Sequence, residues 1–228
     1  MPDSAPPQHI AIIMDGNRRW ARQHGLELLR GHEKVANEVI QTLVDHCVVR
    51  GIPYLTLWAF STENWNRDEK EVLGILNLLR SAFSKNAAEL HEKGVKLHTI
   101  GDLRKFPVDI RENISKWIEV SKNNSKITVT FALNYGGRNE IVRAVQKVVA
   151  ADTQVTEESI AQSLDTATLP DPDLIIRPGG EKRLSGLLPW QSVYSELYFT
   201  DTLMPDFGAD QLDEALADFA QRQRRFGK

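Results

Sequence analysis

The chain has 228 residues, 41% hydrophobic and 26% charged, enough for a sizeable core in a single domain. A net charge of −3 excludes a protein built to coat a nucleic-acid backbone, which needs a surplus of Lys and Arg. One cysteine, Cys47, excludes an internal disulfide and, inside an apolar helical pattern, reads as a buried thiol in a reducing compartment.

Residues 1–8 read as a disordered, proline-rich polar tail without the basic start and apolar middle of a signal peptide, and residues 9–228 as one catalytic domain. No apolar run approaches the roughly 18 residues of a membrane span, so the expectation is a cytoplasmic protein, with room for membrane association at its surface. Ile10 to Met14 is a short continuous apolar run, the pattern of a strand covered on both faces, and it runs into the turn Asp15-Gly16-Asn17. Glu33 to Arg50 places Val35, Val39, Leu43 and Cys47 on one helical face, with Gly51 as a stop. Tyr54 to Phe60 is a second strand, ending in the polar run from Ser61 to Arg67. Asp68 to Lys93 reads as one long amphipathic helix closed by Gly94.

Val95 to Ile100 is a third strand and Pro107 to Lys122 a helix with proline in its first turn. Ile127 to Leu133 is a fourth strand ending in Asn134-Tyr135-Gly136-Gly137-Arg138, followed by a helix over Asn139 to Ala151. Leu174 to Ile176 and Glu196 to Phe199 are the fifth and sixth strands, before a closing helix from Ala209 to Arg225; Ala150 to Asp173 is the loosest stretch. Strands alternating with helices predict an α/β domain: a central, mostly parallel six-stranded sheet flanked by helices.

Ligands of such sheets bind at the carboxyl ends of the strands, and there this chain carries anion chemistry. Arginine forks hold phosphate oxygens bidentately and glycine turns expose backbone N–H groups. Two separated basic clusters imply two phosphate groups: Asn17, Arg18 and Arg19 with Arg30 and His32, and Arg177, Arg183 and Ser185 around Gly179-Gly180. There is no Walker A loop, no G-x-G-x-x-G after a strand and no zinc-ligand spacing. A lone carboxylate, Asp15, beside phosphate oxygens suits Mg²⁺. Each residue also has a plainer reading. Asp15 could cap the helix from Arg18, His32 could be an ordinary first-turn residue, Ser61 and Asn64 turn residues, and Trp65 a core anchor. Arg177, one step beyond three apolar residues, is harder to explain without a partner.

Met14 to Ala21, Gly31-His32, Phe60 to Arg67, Asn134 to Arg138, Ile176-Arg177 with Gly179-Gly180-Glu181, Arg183 to Ser185, and Trp190-Gln191 through Phe199 together resemble the cis-prenyltransferases, the undecaprenyl diphosphate synthase family, over nearly the whole chain. The resemblance implies a Mg²⁺-dependent homodimer that condenses isopentenyl diphosphate with an allylic diphosphate, farnesyl or similar, to a Z-polyprenyl diphosphate. It implies Asp15 and Asn64 as catalytic. Gly16, Asn17, Arg18, Arg19 and His32, with Ser61, Trp65 and Arg67, would lie around the allylic diphosphate; Glu71 matches a bridging position. Arg177, Arg183 and Ser185 would hold isopentenyl diphosphate, Glu196 would share the metal with Asp15, and Arg225 and Gly227 would complete the neighbouring subunit's site.

The product's hydrocarbon calls for a hydrophobic tunnel between the sheet and the helices at Glu33 to Arg50 and Asp68 to Lys93. The chain departs from the family at Leu28, where an arginine is usual, with Arg30 two positions away, and at Pro178 and Pro189. Other readings are a short-chain or branching synthase of the same family, a non-catalytic dimer partner, or a generic phosphate-binding protein such as a phosphatase.

Overall fold

The computed structural model describes residues 5–222. Six strands, β1 (His9–Ile13), β2 (Tyr54–Ser61), β3 (Val95–Ile100), β4 (Ile127–Tyr135), β5 (Leu174–Arg177) and β6 (Glu196–Phe199), form one sheet in the order β3-β4-β2-β1-β5-β6. Every pairing is parallel. Central β1 is buried along its whole length, as its unbroken apolar run requires of a strand covered on both faces. Among the described residues no helix is long and apolar enough to cross a membrane.

The helices are α1 (Asn17–Gln23), α2 (Leu29–Lys34), α3 (Ile40–Val49), α4 (Glu69–Ser81), α5 (Ala87–Glu92), α6 (Val108–Ser121), α7 (Gly137–Ala150), α8 (Glu157–Ser163) and α9 (Ala209–Gln221). The expected helix from Glu33 starts earlier, at Leu29, and passes through a π turn at Val35–Val39 between α2 and α3. Asp68 to Lys93 is likewise not one regular helix. Asp68 caps it, its carboxylate accepting from the Lys70 N–H at 2.9 Å, but a second π turn, Ala82–Asn86, separates α4 from α5. Asn86 on this turn donates from Nδ2 to the Ala36 carbonyl on the other at 2.8 Å.

The stretch expected to be loosest contains α8, whose N-terminus is built by Thr156: its hydroxyl accepts from the Ser159 N–H at 3.1 Å, and Ser159 Oγ accepts from the Thr156 N–H. β1 leads to β2 on one side of the sheet and β5 is added on the other, so the strand order reverses at β1. The crevice beyond the carboxyl ends of β1 and β5 is therefore the fold's natural ligand position.

Candidate active site

Asp15 follows β1 and Arg177 ends β5, so parallel pairing of these strands brings the two residues together. Arg177 is 4% exposed, and its Nη2 donates to Asp15 Oδ2 at 2.9 Å. Its Nη1 donates to Ser185 Oγ at 2.7 Å and to the Arg183 carbonyl. This is the partner that a charge at the end of an apolar strand demands. Asp15 is not the helix cap: Gly16 is, in the left-handed region at φ 98°. The Asp15 carboxylate instead folds back, Oδ1 accepting from the Gly16 N–H at 2.6 Å and lying 3.5 Å from Arg19 Nη2. Gly179 turns at φ 96°, a conformation that favours glycine, and brings the loop after β5 against Arg19, whose Nη2 would have to move from a Cβ placed there.

Two polar pockets meet at Asp15. The first, about 340 Å³, is lined by Met14 to Arg19, Arg22, His32 and Arg67. The second, about 350 Å³, has Asp15, Trp58, Ser61, Asn64, Arg67, Arg177 and Ser185 in its wall. The first gathers four guanidinium groups, and Glu71, 9% exposed, ties two of them together: Arg67 Nη1 at 2.9 Å and Arg18 Nε at 3.7 Å. Around it three enclosed polar atoms have no hydrogen-bond partner: Asn17 Oδ1, Arg18 Nε and His32 Nε2. In the second pocket Arg177 Nε is in the same condition. Buried polar atoms are rarely left unsatisfied, so both pockets are built for polar ligands. Burial, reinforced by the charges of Arg67 and Arg18, pushes His32 down to about 4, which keeps the ring neutral at physiological pH.

An apolar cavity runs from the first pocket between the sheet and α2 to α5. It shares Met14, Asn17 and His32 with that pocket and continues past Val35, Ala36, Ile40, Ala59, Ile75, Leu79, Phe83, Ala87, Leu90, Leu97 and Phe131. The site is thus amphipathic: an anion cradle with a hydrocarbon-lined space behind it.

Residues 13–227 match the family model described as "Putative undecaprenyl diphosphate synthase". The chain belongs to this prenyltransferase family. An isoprenyl transferase of Nitrosomonas europaea is 46% identical over 228 residues, covering 98% of this chain and 86% of the relative. One from Clostridium perfringens is 44% identical, covering 97% and 90%. Among solved structures, lavandulyl diphosphate synthase from Lavandula x intermedia in complex with dimethylallyl diphosphate gives a TM-score of 0.95 at 34% identity, covering 99% of this chain and all of that one. A "probable undecaprenyl diphosphate synthase" from Campylobacter jejuni gives 0.84 at 35%, covering 97% and 99%.

Within this family member the expected site residues fall into three groups. Asp15, Gly16, Asn17, Arg18, Arg19, His32, Ser61, Asn64, Arg67, Arg177 and Ser185 all line the two pockets. Ser61 and Asn64 also cap each other, Asn64 Oδ1 accepting from the Ser61 N–H at 3.0 Å, so the turn reading and the site reading hold together.

Other residues stand elsewhere. Trp65 is a packing anchor: its ring meets Phe60 and Phe106, and Nε1 donates to Asn134 Oδ1 at 2.8 Å. Arg183 offers Arg177 its carbonyl, while its side chain pairs outward with Glu181. Arg30 is 58% exposed and pairs with Glu33 at 2.8 Å instead of joining the first cluster. Glu196 is not among the residues lining either pocket. It opens β6 opposite Leu174, at the amino-terminal end of the sheet, and its Oε2 accepts from Arg222 Nη1 at 2.9 Å. The tail residues Arg225 and Gly227 lie outside the described residues.

Sequence reading missed Arg22, which lines the first pocket from one turn beyond Arg18 and Arg19. It also missed Glu140. This buried carboxylate accepts from Tyr135 Oη at 2.6 Å, Gln191 Nε2 at 3.1 Å and the Asp165 N–H at 3.0 Å, joining α7 to the loops on either side of β5. Burial pushes its carboxyl up from the usual range. Pro189 packs on Gly137, where a Cβ would lie 2.0 Å from its Cδ.

Proposed function

We propose that the protein is a cis-prenyltransferase that condenses isopentenyl diphosphate with an allylic diphosphate to give a Z-polyprenyl diphosphate. The observation that carries this reading is the continuity of the first pocket with the apolar cavity through Met14, Asn17 and His32, which matches a diphosphate bearing a hydrocarbon tail. The allylic diphosphate would lie on Arg18, Arg19, Arg67 and the orphaned Asn17 and His32, its tail in the cavity as in a product tunnel. Isopentenyl diphosphate would lie in the second pocket against Arg177 and Ser185, Asn64 beside it. Asp15 borders both.

The allylic C–O bond breaks, the isopentenyl double bond forms the new C–C bond, and a proton is lost to set the new double bond. The chain's residues supply proximity, worth several kcal/mol. Their guanidinium groups stabilise the departing diphosphate, while the apolar wall keeps water from the electron-poor carbon.

Mg²⁺ fits this site in one way. Among the described residues no three His, Cys, Asp or Glu side chains converge on a common point, whereas Mg²⁺ typically takes one or two carboxylates and completes its shell from substrate phosphates and water. Asp15, 31% exposed in its side chain, keeps acceptor capacity beyond its bonds to Gly16 and Arg177 and would hold the ion. When bound, Mg²⁺ supplies Lewis-acid neutralisation of the leaving diphosphate. We also propose a homodimer, as the tail Arg225-Phe226-Gly227 resembles a segment that reaches a partner's site, and a cytoplasmic enzyme.

Incubating the protein with radiolabelled isopentenyl diphosphate and dimethylallyl, geranyl or farnesyl diphosphate, with Mg²⁺ or with a chelator, tests the reading; Mg²⁺-dependent chain growth is expected and no incorporation with any primer overturns it. Product sizing decides a second reading, a short-chain or branching synthase, which is favoured by the TM-score of 0.95 to lavandulyl diphosphate synthase.

A further inference from the structure

We infer that Arg22 is the guanidinium that grips the terminal phosphate of the allylic substrate and sets the affinity for it. This rests on the proposed function of the first pocket and specifies how that pocket holds its ligand. Arg18, Arg19 and Arg22 lie at i, i+1 and i+4 of one short helix, so Arg22 stands about one turn, or roughly 5 Å, beyond the Asp15 end of the pocket.

The other three guanidinium groups are already engaged: Arg19 by Asp15, Arg18 and Arg67 by Glu71. Arg22 faces the same pocket, and no carboxylate among the described residues lies within ion-pair reach of it. Four guanidinium groups line this pocket beside two carboxylates, with His32 neutral and Asp15 shared with Arg177, so the surplus is positive, and Arg22 is the one of the four with no carboxylate partner. Bond breaking occurs at the phosphate nearest the carbon. A cation one turn further out meets the phosphate whose charge changes least during the reaction, so it acts on binding more than on the chemical step. The two alternatives nearby are spent: Arg30 is turned outward to Glu33, and Leu28 carries no charge.

The test uses the full chain with Arg22→Ala, Arg22→Lys and Arg30→Ala. Arg22 is exposed, so its truncation is expected to leave the melting temperature unchanged. The expected result for Arg22→Ala is a KM for the allylic diphosphate raised about 10- to 100-fold, as for the loss of a charge-assisted hydrogen bond, with kcat and the KM for isopentenyl diphosphate within about twofold. Arg22→Lys should recover part of the loss, and Arg30→Ala should behave as the parent. Calorimetric titration with inorganic pyrophosphate is a readout independent of turnover, and the same order of affinities is expected.

Unchanged allylic KM and pyrophosphate affinity in Arg22→Ala would overturn the inference, as would an equal loss in Arg30→Ala or a fall confined to kcat. If the parent incorporates no isopentenyl units the functional reading fails, and the pyrophosphate titration still decides Arg22.

Discussion

Arg177 and Arg19 both reach Asp15, from opposite sides and in opposite states. Arg177 is buried, and its two terminal nitrogens are already spent on Asp15, Ser185 and the Arg183 carbonyl. Arg19 is far more exposed and lies 3.5 Å from the same carboxylate, in a pocket with three orphaned polar atoms. The second pocket is thus assembled when the chain folds, because a buried guanidinium without partners would cost several kcal/mol. The first leaves more for a ligand to complete, three unpartnered atoms against the single Arg177 Nε of the second. One carboxylate joins the two.

Removing the joint is the severest way to break this comparison. Asp15→Asn is expected to lower turnover about 10³-fold or more, in line with the loss of a central electrostatic group, while circular dichroism stays native; turnover within tenfold of the parent would show that the two halves work independently. Paired arginine variants sharpen it next. Arg177→Lys cannot satisfy its acceptors with one ammonium, so it should cost about 1–3 kcal/mol of stability and about 10²-fold in kcat/KM for isopentenyl diphosphate. Arg19→Lys should impair catalysis with almost no change in unfolding free energy. Equal stability losses in denaturant titrations would refute the contrast.

Behind the first half, Ala87→Phe puts bulk into the apolar cavity; shorter products on chromatography are expected, with about 1–3 kcal/mol of overpacking. The smallest effect concerns pH. Burial holds His9, 1% exposed, down to about 4, as it does His32. Below pH 6.5 the unfolded chain takes up protons that the folded chain refuses down to about pH 4, so stability is full above 6.5 and falls across that window. His9 accounts for at most about 3 kcal/mol of this. Denaturation midpoints at pH 7 and 4.5, in the parent and in His9→Gln, measure it; a flat profile in the parent would mean that neither ring is protected.

Much of this was legible in the sequence, for physical reasons. Ile10 to Met14 is apolar throughout because β1 is covered on both faces, and glycine after Asp15 announces a backbone that must turn at positive φ. That Arg177 needs a partner was legible too, but that Asp15 supplies it depends on β1 and β5 lying side by side. Arg22 was not legible, since an arginine on a short helix looks the same whether it faces solvent or a pocket. Trp65 could not be told from a substrate contact until Phe60 and Phe106 closed on it. Glu196 sits among motif residues, yet strand direction carries it to the far end of the sheet, which motif spacing cannot express. The interruptions at Val35–Val39 and Ala82–Asn86 leave the apolar periodicity almost intact, so both helices read as continuous.

Those two π turns face each other across the hydrocarbon space: Val35 and Ala36 line it on one side, and Ala82, Phe83 and Asn86 on the other, with the Asn86 amide answering the Ala36 carbonyl. Each inserts one residue into a turn and bows the helix away from a straight path. The course of these helices past the chamber is therefore set by chain length as well as by side-chain size: a single codon lost from either segment would remove the inserted residue and restore the regular pitch, straightening the helix while the following side chains keep their faces. Gain and loss of single residues in these helices is thus a route by which such a chamber can open or close in one genetic step, where side-chain substitution only trims it.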